Sequence, residues 1–226
     1  MLIGALLWDQ RSPGDQHMTL GQRGWMAALC AGALMVGWSS AMAEEFSSQY
    51  TSADVRKCRK IDSFKPGPGD FEFSIDWACR AAAGYVVLVR MHDERFAVSV
   101  GKTAKAAEAE PAATQGFGAF NFSYDTVEWR SRKGSDRPFA IIQRWTIFDS
   151  ERPSRDGHPG RTGLLIVTRL PPGPVCHVAY VDVAANPDAN ILARQAADEG
   201  ARDFACQKDK VRIIGQRGRA IELAGQ

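Results

Sequence analysis

The stretch Asp70-Phe71-Glu72-Phe73-Ser74-Ile75-Asp76-Trp77-Ala78-Cys79-Arg80 decides the fold class. Its odd positions are apolar and its even positions, Ala78 excepted, are polar. A period of two sustained this long describes a strand with one buried face. The aromatic rings then point to the core, while Asp70, Glu72 and Asp76 share the solvated face as cross-strand pairing partners rather than acid/base machinery. Tyr85 to Val89 is a continuous apolar run rich in β-branched residues. Met91-His92-Asp93-Glu94 makes a polar turn, and Phe96, Val98 and Val100 alternate again, so the first half reads as a three-stranded meander.

Ala104 to Ala113, broken by Pro111 and followed by Gly116-Phe117-Gly118, connects this meander to a second one with room for one helical turn. The second meander runs through Val127 and Trp129, Phe139 to Phe148, Gly163 to Leu170 and Val175 to Val183. Turns at Lys133-Gly134-Ser135-Asp136 and Pro171-Pro172-Gly173-Pro174, and a long loop from Ser150 to Thr162, separate its strands. A single helix follows, with Asn186 as N-cap, Pro187 at the first helical position and Asp188 in the first turn. Ala189, Leu192, Ala193, Ala196, Gly200 and Phe204 share one face, a small-residue stripe that lets the helix lie close to a sheet. Val211 to Ile214 adds a short edge strand before a basic, frayed tail. The expected fold is α+β: about seven strands in two antiparallel meanders, with one C-terminal helix packed on the sheet.

Ahead of this domain lies an export leader. From Met18 the chain has one basic residue, Arg23, an apolar run from Trp25 to Trp38, and Ala41-Met42-Ala43 before Glu44, the order of a secretory signal with a small-x-small cleavage site. The apolar run is shorter than the ~20 residues a spanning helix needs. Leu29 precedes Cys30 where a lipid-accepting cysteine calls for a small residue, so lipidation is not expected. Residues 1–17 do not resemble a basic leader start, which makes Met18 the expected point of initiation. The expected mature protein is a single domain over 44–226 in the periplasm, with no transmembrane segment. The leader carries Asp9 and Asp15 against Arg11 and Arg23, so its removal leaves the formal net charge at +2. That balance calls for neither nucleic acid nor an anionic surface as partner.

Four cysteines follow the leader, Cys58, Cys79, Cys176 and Cys206, an even number in a compartment where disulfides persist. The strand from Cys176 to Val183 runs ~23 Å and the helix after it ~27 Å. If the helix folds back along the strand, Cys206 returns to the level of Cys176. Cys176 then pairs with Cys206 and, by exclusion, Cys58 with Cys79.

Catalytic motifs are scarce. The mature chain has three histidines, His92, His158 and His177. His92 falls in a turn and His158 in the long loop, and neither has a partner at metal-ligand spacing. His177 lies inside an apolar strand beside Cys176, but adjacent strand residues face opposite ways and an oxidised Cys176 is no nucleophile. With Ala179 and Val181 as its alternate-face neighbours, His177 reads as a partly buried histidine hydrogen-bonded across the sheet, and it is the one functional candidate. Gly116-Phe117-Gly118 lacks the third glycine and the strand and helix of a dinucleotide site, and Asn121-Phe122-Ser123 matches a glycosylation sequon by composition alone. Arg56-Lys57-Cys58-Arg59-Lys60, and Arg152, Arg155 and Arg161 around His158, read as surface charge.

At Asp125-Thr126-Val127-Glu128-Trp129-Arg130, at Pro138 to Trp145, and at Val175 to Asp182 running into Ala185-Asn186-Pro187-Asp188-Ala189-Asn190, the chain resembles a group of uncharacterised exported proteins of alphaproteobacteria. The resemblance covers most of the mature domain. It implies a periplasmic address and one compact domain, and brings no activity, cofactor or catalytic residue. The function expected from the sequence is a non-catalytic binding or envelope-associated domain that needs no cofactor or metal, its partner an unknown envelope protein or small ligand. The alternative is a hydrolase-like enzyme with a dispersed site near His177.

Overall fold

The structure, a computed structural model, describes residues 45–64 and 73–225. The leader with its cleavage site, and the Asp70-Phe71-Glu72 end of the alternating stretch, lie outside the described residues. In chain order the elements are β1 (Phe46–Ser52), β2 (Arg59–Phe64), β3 (Ser74–Arg80), β4 (Val86–His92), β5 (Arg95–Gly101), α1 (Ala104–Glu108), β6 (Asn121–Arg132), β7 (Pro138–Asp149), β8 (Gly160–Arg169), β9 (His177–Asp182), α2 (Ala189–Gly200), β10 (Arg212–Ile213) and α3 (Arg219–Leu223).

These elements make a mainly β, broadly α+β architecture of two sheets. The smaller sheet has the order β2-β3-β4-β5 and is antiparallel throughout, so the expected three-stranded meander gains a fourth member, β2. The larger has the order β1-β6-β7-β8-β9-β10. Its middle is the expected second meander, but β1 adds antiparallel to β6 and β10 adds parallel to β9, so this sheet is mixed. The described residues therefore hold ten strands rather than seven. β1, Phe-Ser-Ser-Gln-Tyr-Thr-Ser, is largely polar because it is an edge strand, and polar edges resist pairing with foreign chains.

The inner faces of the two sheets share one core. Val87, Val89, Val98 and Val100 of the small sheet pack in a single cluster with Trp129, Ile141, Trp145, Ile147, Leu164 and Ile166 of the large one. Tyr85 stacks on Trp129 across the interface at 6.0 Å between ring centroids. Alternation along each strand then sends the even-numbered residues of β3, β4 and β7 to the outer faces. This corrects the sequence reading twice: Asp76 on the outer face of β3 is only 9% exposed, and Phe73, expected to face the core, is 39% exposed just before the strand begins.

Each outer face is partly roofed by a helix. α2 lays Ala189, Ala193, Ala196 and Ala197 against Ala140, Ile142, Leu165, Val167 and Val181 of the large sheet. Its polar flank is clamped to β6: Arg130 grips Asp198 through Nε–Oδ1 at 3.0 Å and a second guanidinium contact at 2.5 Å, and Arg194 donates to Glu128 at 2.6 Å. The Cys176–Cys206 disulfide (Cα–Cα 5.9 Å) ties the chain beyond the helix back to the start of β9, and Cys58–Cys79 (Cα–Cα 4.6 Å) ties the loop before β2 to β3. Helix α1 packs on β4 and β5 of the small sheet. A Cβ at Gly101 would sit 2.4 Å from the Ala107 amide nitrogen, so only glycine allows the helix this close.

Two terminal features differ from the sequence reading. Asn186 does not cap α2: the N-cap is Asp188, with no side-chain cap bond. Asn186 instead donates to the carbonyls of Asp182 and Gln216 at 2.9 Å each and accepts from the Gln216 amide, pinning the tail. Nor is the tail frayed. α3 buries Ala220 and Ile221 in the shared core, and its Ala220 amide donates to the fully buried Asp182 carboxylate at 2.8 Å. Arg219 of α3 grips Asp149 at 2.7 and 2.9 Å. Among the described residues no helix is long and apolar enough to cross a membrane.

Candidate functional site

His177 is 1% exposed, deeper than the partly buried position expected from the sequence. The reason lies in the register of β9. Thr168 pairs with His177 and Val167 with Ala179, which leaves Val178 without an opposite residue, a bulge. A bulge shifts the alternation by one, so the inner-face neighbour of His177 becomes Tyr180 instead of Ala179 or Val181. His177 Nδ1 and the Tyr180 hydroxyl lie 2.8 Å apart, a contact along the strand rather than across the sheet. Phe117 meets both rings, at 6.4 and 5.6 Å, and Trp145 stands edge-on behind it at 5.6 Å. Burial drives the imidazole pKa down from 6.5 to about 3 and raises that of the Tyr180 phenol. A neutral imidazole among three aromatic rings holds the connector between α1 and β6 against β9. That connector is also tied there by Gln115 accepting from the His177 amide and Glu110 accepting from the Val175 amide, both at 2.8 Å.

Beyond the connector, on the outer face of the small sheet, the roof stops at Glu108 and an open basin of about 510 Å³ begins. Strand register assembles its polar lining. Asp62 of β2 lies opposite Asp76 of β3, Asp76 opposite Arg90 of β4, Ser74 opposite His92, and His92 opposite Arg95 of β5. Arg90 donates to Asp76 at 3.0 Å and reaches Glu108 at 3.6 Å. Burial raises the Asp76 pKa, Arg90 opposes the rise, and the nearby charges of Glu108 and Asp62 add to it. Arg95 donates to the Gly118 carbonyl and lies over the Phe120 ring at 4.6 Å. Carboxylates and guanidinium groups thus stand side by side around an opening, with Phe117 and Phe96 at its apolar wall.

The remaining sequence candidates are not gathered into one site. His92 ends β4 on the basin wall, not within the turn, which is made by Asp93 and Glu94 with φ of 47° and 56°. His158 is exposed in the long loop, where its carbonyl accepts from the Ser154 amide at 2.8 Å. In the first basic cluster Arg56 forks onto Asp54 at 2.8 and 2.9 Å, and chiefly this bond holds the Asp54 carboxyl down at about 2. Asp149 is likewise held at about 2, chiefly by Arg219. Among the described residues no group of three or more His, Cys, Asp or Glu side chains is arranged to hold a metal ion.

The basin is a site the sequence reading missed. Its signal was present: Ser74 and Asp76 alternate on β3 and Arg90 and His92 on β4, and a correct pairing of those two runs brings all four together. Without the register, Asp76 reads as an ordinary solvated carboxylate. Set against protein-family models, curated proteins and solved structures, the chain matches none of them.

Proposed function

We propose that this protein is a non-catalytic binding domain of the periplasm, and that its ligand seat is the basin on the outer face of the small sheet. The observation that carries the reading is the row Asp62, Asp76 and Arg90. Like charges directly opposite each other on neighbouring strands are destabilising, and here they border an open cup of ligand size. The chemistry that suits such a row is a small polar molecule whose amino group meets Asp62 and Asp76 and whose carboxylate meets Arg90 and Arg95, such as an amino acid or a short peptide. Two disulfides fit an oxidising compartment. A hydrolase centred on His177 is the weaker reading, because a sealed, neutral imidazole bonded to Tyr180 can neither reach a substrate nor exchange a proton with one.

Amide NMR with a panel of amino acids and dipeptides tests the proposal. The expected result is a saturable shift of Ser74, Asp76, Arg90 and His92 that disappears in Asp76→Asn. A panel that leaves these amides unmoved, or shifts that survive the substitution, would overturn it.

A further inference from the structure

The outer face of the large sheet has its own uncovered region, beyond the end of α2. Alternation places Arg144, Thr146 and Phe148 of β7 on this face, and register sets Phe122 of β6 and Gly163 of β8 on either side of Thr146 and Arg161 opposite Phe148. Tyr124 completes the group: it is 45% exposed, its hydroxyl lies 3.4 Å from Thr146 Oγ1, and its ring centroid is 5.6 Å from that of Phe122. Phe148 lies 5.8 Å from Phe122 on the other side, so the three rings form a continuous apolar floor. A Cβ at Gly163 would come within 3.2 Å of Val183, and this close packing brings the β9 end of the wall against the floor. A shallow cavity of about 280 Å³ opens beside this floor, lined by Phe122 and Tyr124 but not by Phe148.

Two cations, Arg144 and Arg161, line the cavity, and no carboxylate does. Arg161 lies above the Phe148 ring at 5.5 Å. Arg161 also acts on Asp156, whose carboxyl is held low first by the Ser154 hydroxyl, with Arg161 the last of the causes. Arg144 is half-buried, and its side chain makes no hydrogen bond or ion pair with any described residue. Among the other described arginines, Arg90, Arg130 and Arg219 are each matched to a carboxylate, and Arg169 and Arg212 donate to backbone carbonyls. A guanidinium held on a rigid central strand without an internal partner is placed to meet an external anion, and its planar fork suits a carboxylate.

We infer that this face binds an anionic saccharide chain, the sugar rings lying on Phe122, Tyr124 and Phe148 and their carboxylates engaging Arg144 and Arg161. An acidic peptide is disfavoured by the topology. β7 and β8 are paired on both sides, and β1 covers β6 from Thr126 onward; the uncovered start of β6 pairs with β7 only over Asn121–Ser123 before a bulge, so the site offers no long, regular strand edge for a peptide backbone to extend. A flat, open floor suits rings that pass over it in a row, rather than a molecule to be enclosed.

Titration calorimetry with the protein and trigalacturonate, beside galactotriose, inorganic phosphate and phosphatidylglycerol vesicles, tests the inference. Trigalacturonate should bind with an affinity that falls as salt rises, and the other three should bind at least tenfold more weakly. Arg144→Gln with Arg161→Gln should weaken the acidic trisaccharide at least tenfold, Tyr124→Ala severalfold, and Asp76→Asn in the separate basin not at all. Should a variant fold poorly, the parent protein still decides: trigalacturonate must shift the amides of Phe122, Tyr124, Arg144 and Arg161. No binding, equal binding of phosphate or vesicles, or shifts confined to other residues would overturn the inference.

Discussion

Helices α1 and α2 perform the same task on opposite sides of the molecule, each roofing part of an outer sheet face, yet they are held by different means. α2 has twelve residues, an alanine stripe, two ion-pair clamps to β6 and a disulfide just beyond its end. α1 has five residues, a Thr103 side-chain cap and a close backbone approach at Gly101. The uncovered regions differ as well. Beside α1 acids and arginines line the opening together; beside α2 the lining carries two arginines and no carboxylate. A sheet face lined by charged and polar side chains needs little cover, whereas an alanine-lined one needs a helix that cannot lift away.

Removing the staple should separate the two roofs most clearly. Cys176→Ser with Cys206→Ser should cost about 2–4 kcal/mol, as expected for a loop of this size, and hydrogen exchange should quicken in α2 while α1 amides keep their protection. Equal loosening of both helices would mean that the roofs are one cooperative unit, and the comparison would fail.

Overpacking tests each contact locally. Ala197→Leu should cost about 1–3 kcal/mol because the position is fully buried against the sheet. Gly101→Ala should cost a similar amount, since the neighbouring Ala107 backbone must move. Denaturant melts that show no loss for Gly101→Ala would reveal α1 as a loosely seated cover.

The shared core beneath both roofs has a pH signature. The buried His177 has its pKa pushed down to about 3, so between the usual value of 6.5 and that point the unfolded chain takes up a proton that the folded one refuses. Its contribution is complete above pH ~6.5 and is lost as pH falls toward 3. Asp54 and Asp149, held at about 2, contribute fully above pH ~4 and lose that contribution only as pH drops toward 2. His177→Gln should therefore cost about 1–3 kcal/mol at neutral pH through the altered contact with Tyr180. It should also flatten the slope between pH 6.5 and 4 and leave the lower limb in place. Urea melts across that range check both, and an unchanged slope would show that the imidazole is not sealed.

The smallest expected effect is the most telling for function. Arg144→Gln should change stability by less than about 0.5 kcal/mol, because the side chain has no internal partner to lose. A loss beyond 2 kcal/mol would make Arg144 a structural residue and remove the contrast between the two uncovered regions.

Local pattern accounts for much of the architecture. Alternation in Phe96-Ala97-Val98-Ser99-Val100 and the apolar runs around Ile141 and Ile166 mark strands directly, since a half-buried strand has to repeat every two residues. The alanine stripe of α2 is equally plain, and the lengths of β9 and α2 bring Cys206 back to Cys176. Edge strands escape this logic: β1 and β2 are short of apolar residues because they bury little, so nothing in their composition marks them. α3 escapes it too, since five residues have no periodicity to read and the helix is held by Asp182 from another part of the chain.

By itself the sequence determined which segments alternate, where turns fall, that a small-faced helix follows the last long strand, and that four cysteines were available to pair. Those are properties of neighbours along the chain, set by backbone geometry and side-chain type. Only the tertiary structure decided that Val178 bulges out and turns His177 onto Tyr180, that Asp62 faces Asp76, and that Arg144 is left without an acid. Each depends on strand register, which brings together residues tens of positions apart and is fixed by the packing of the whole core, not by any local preference.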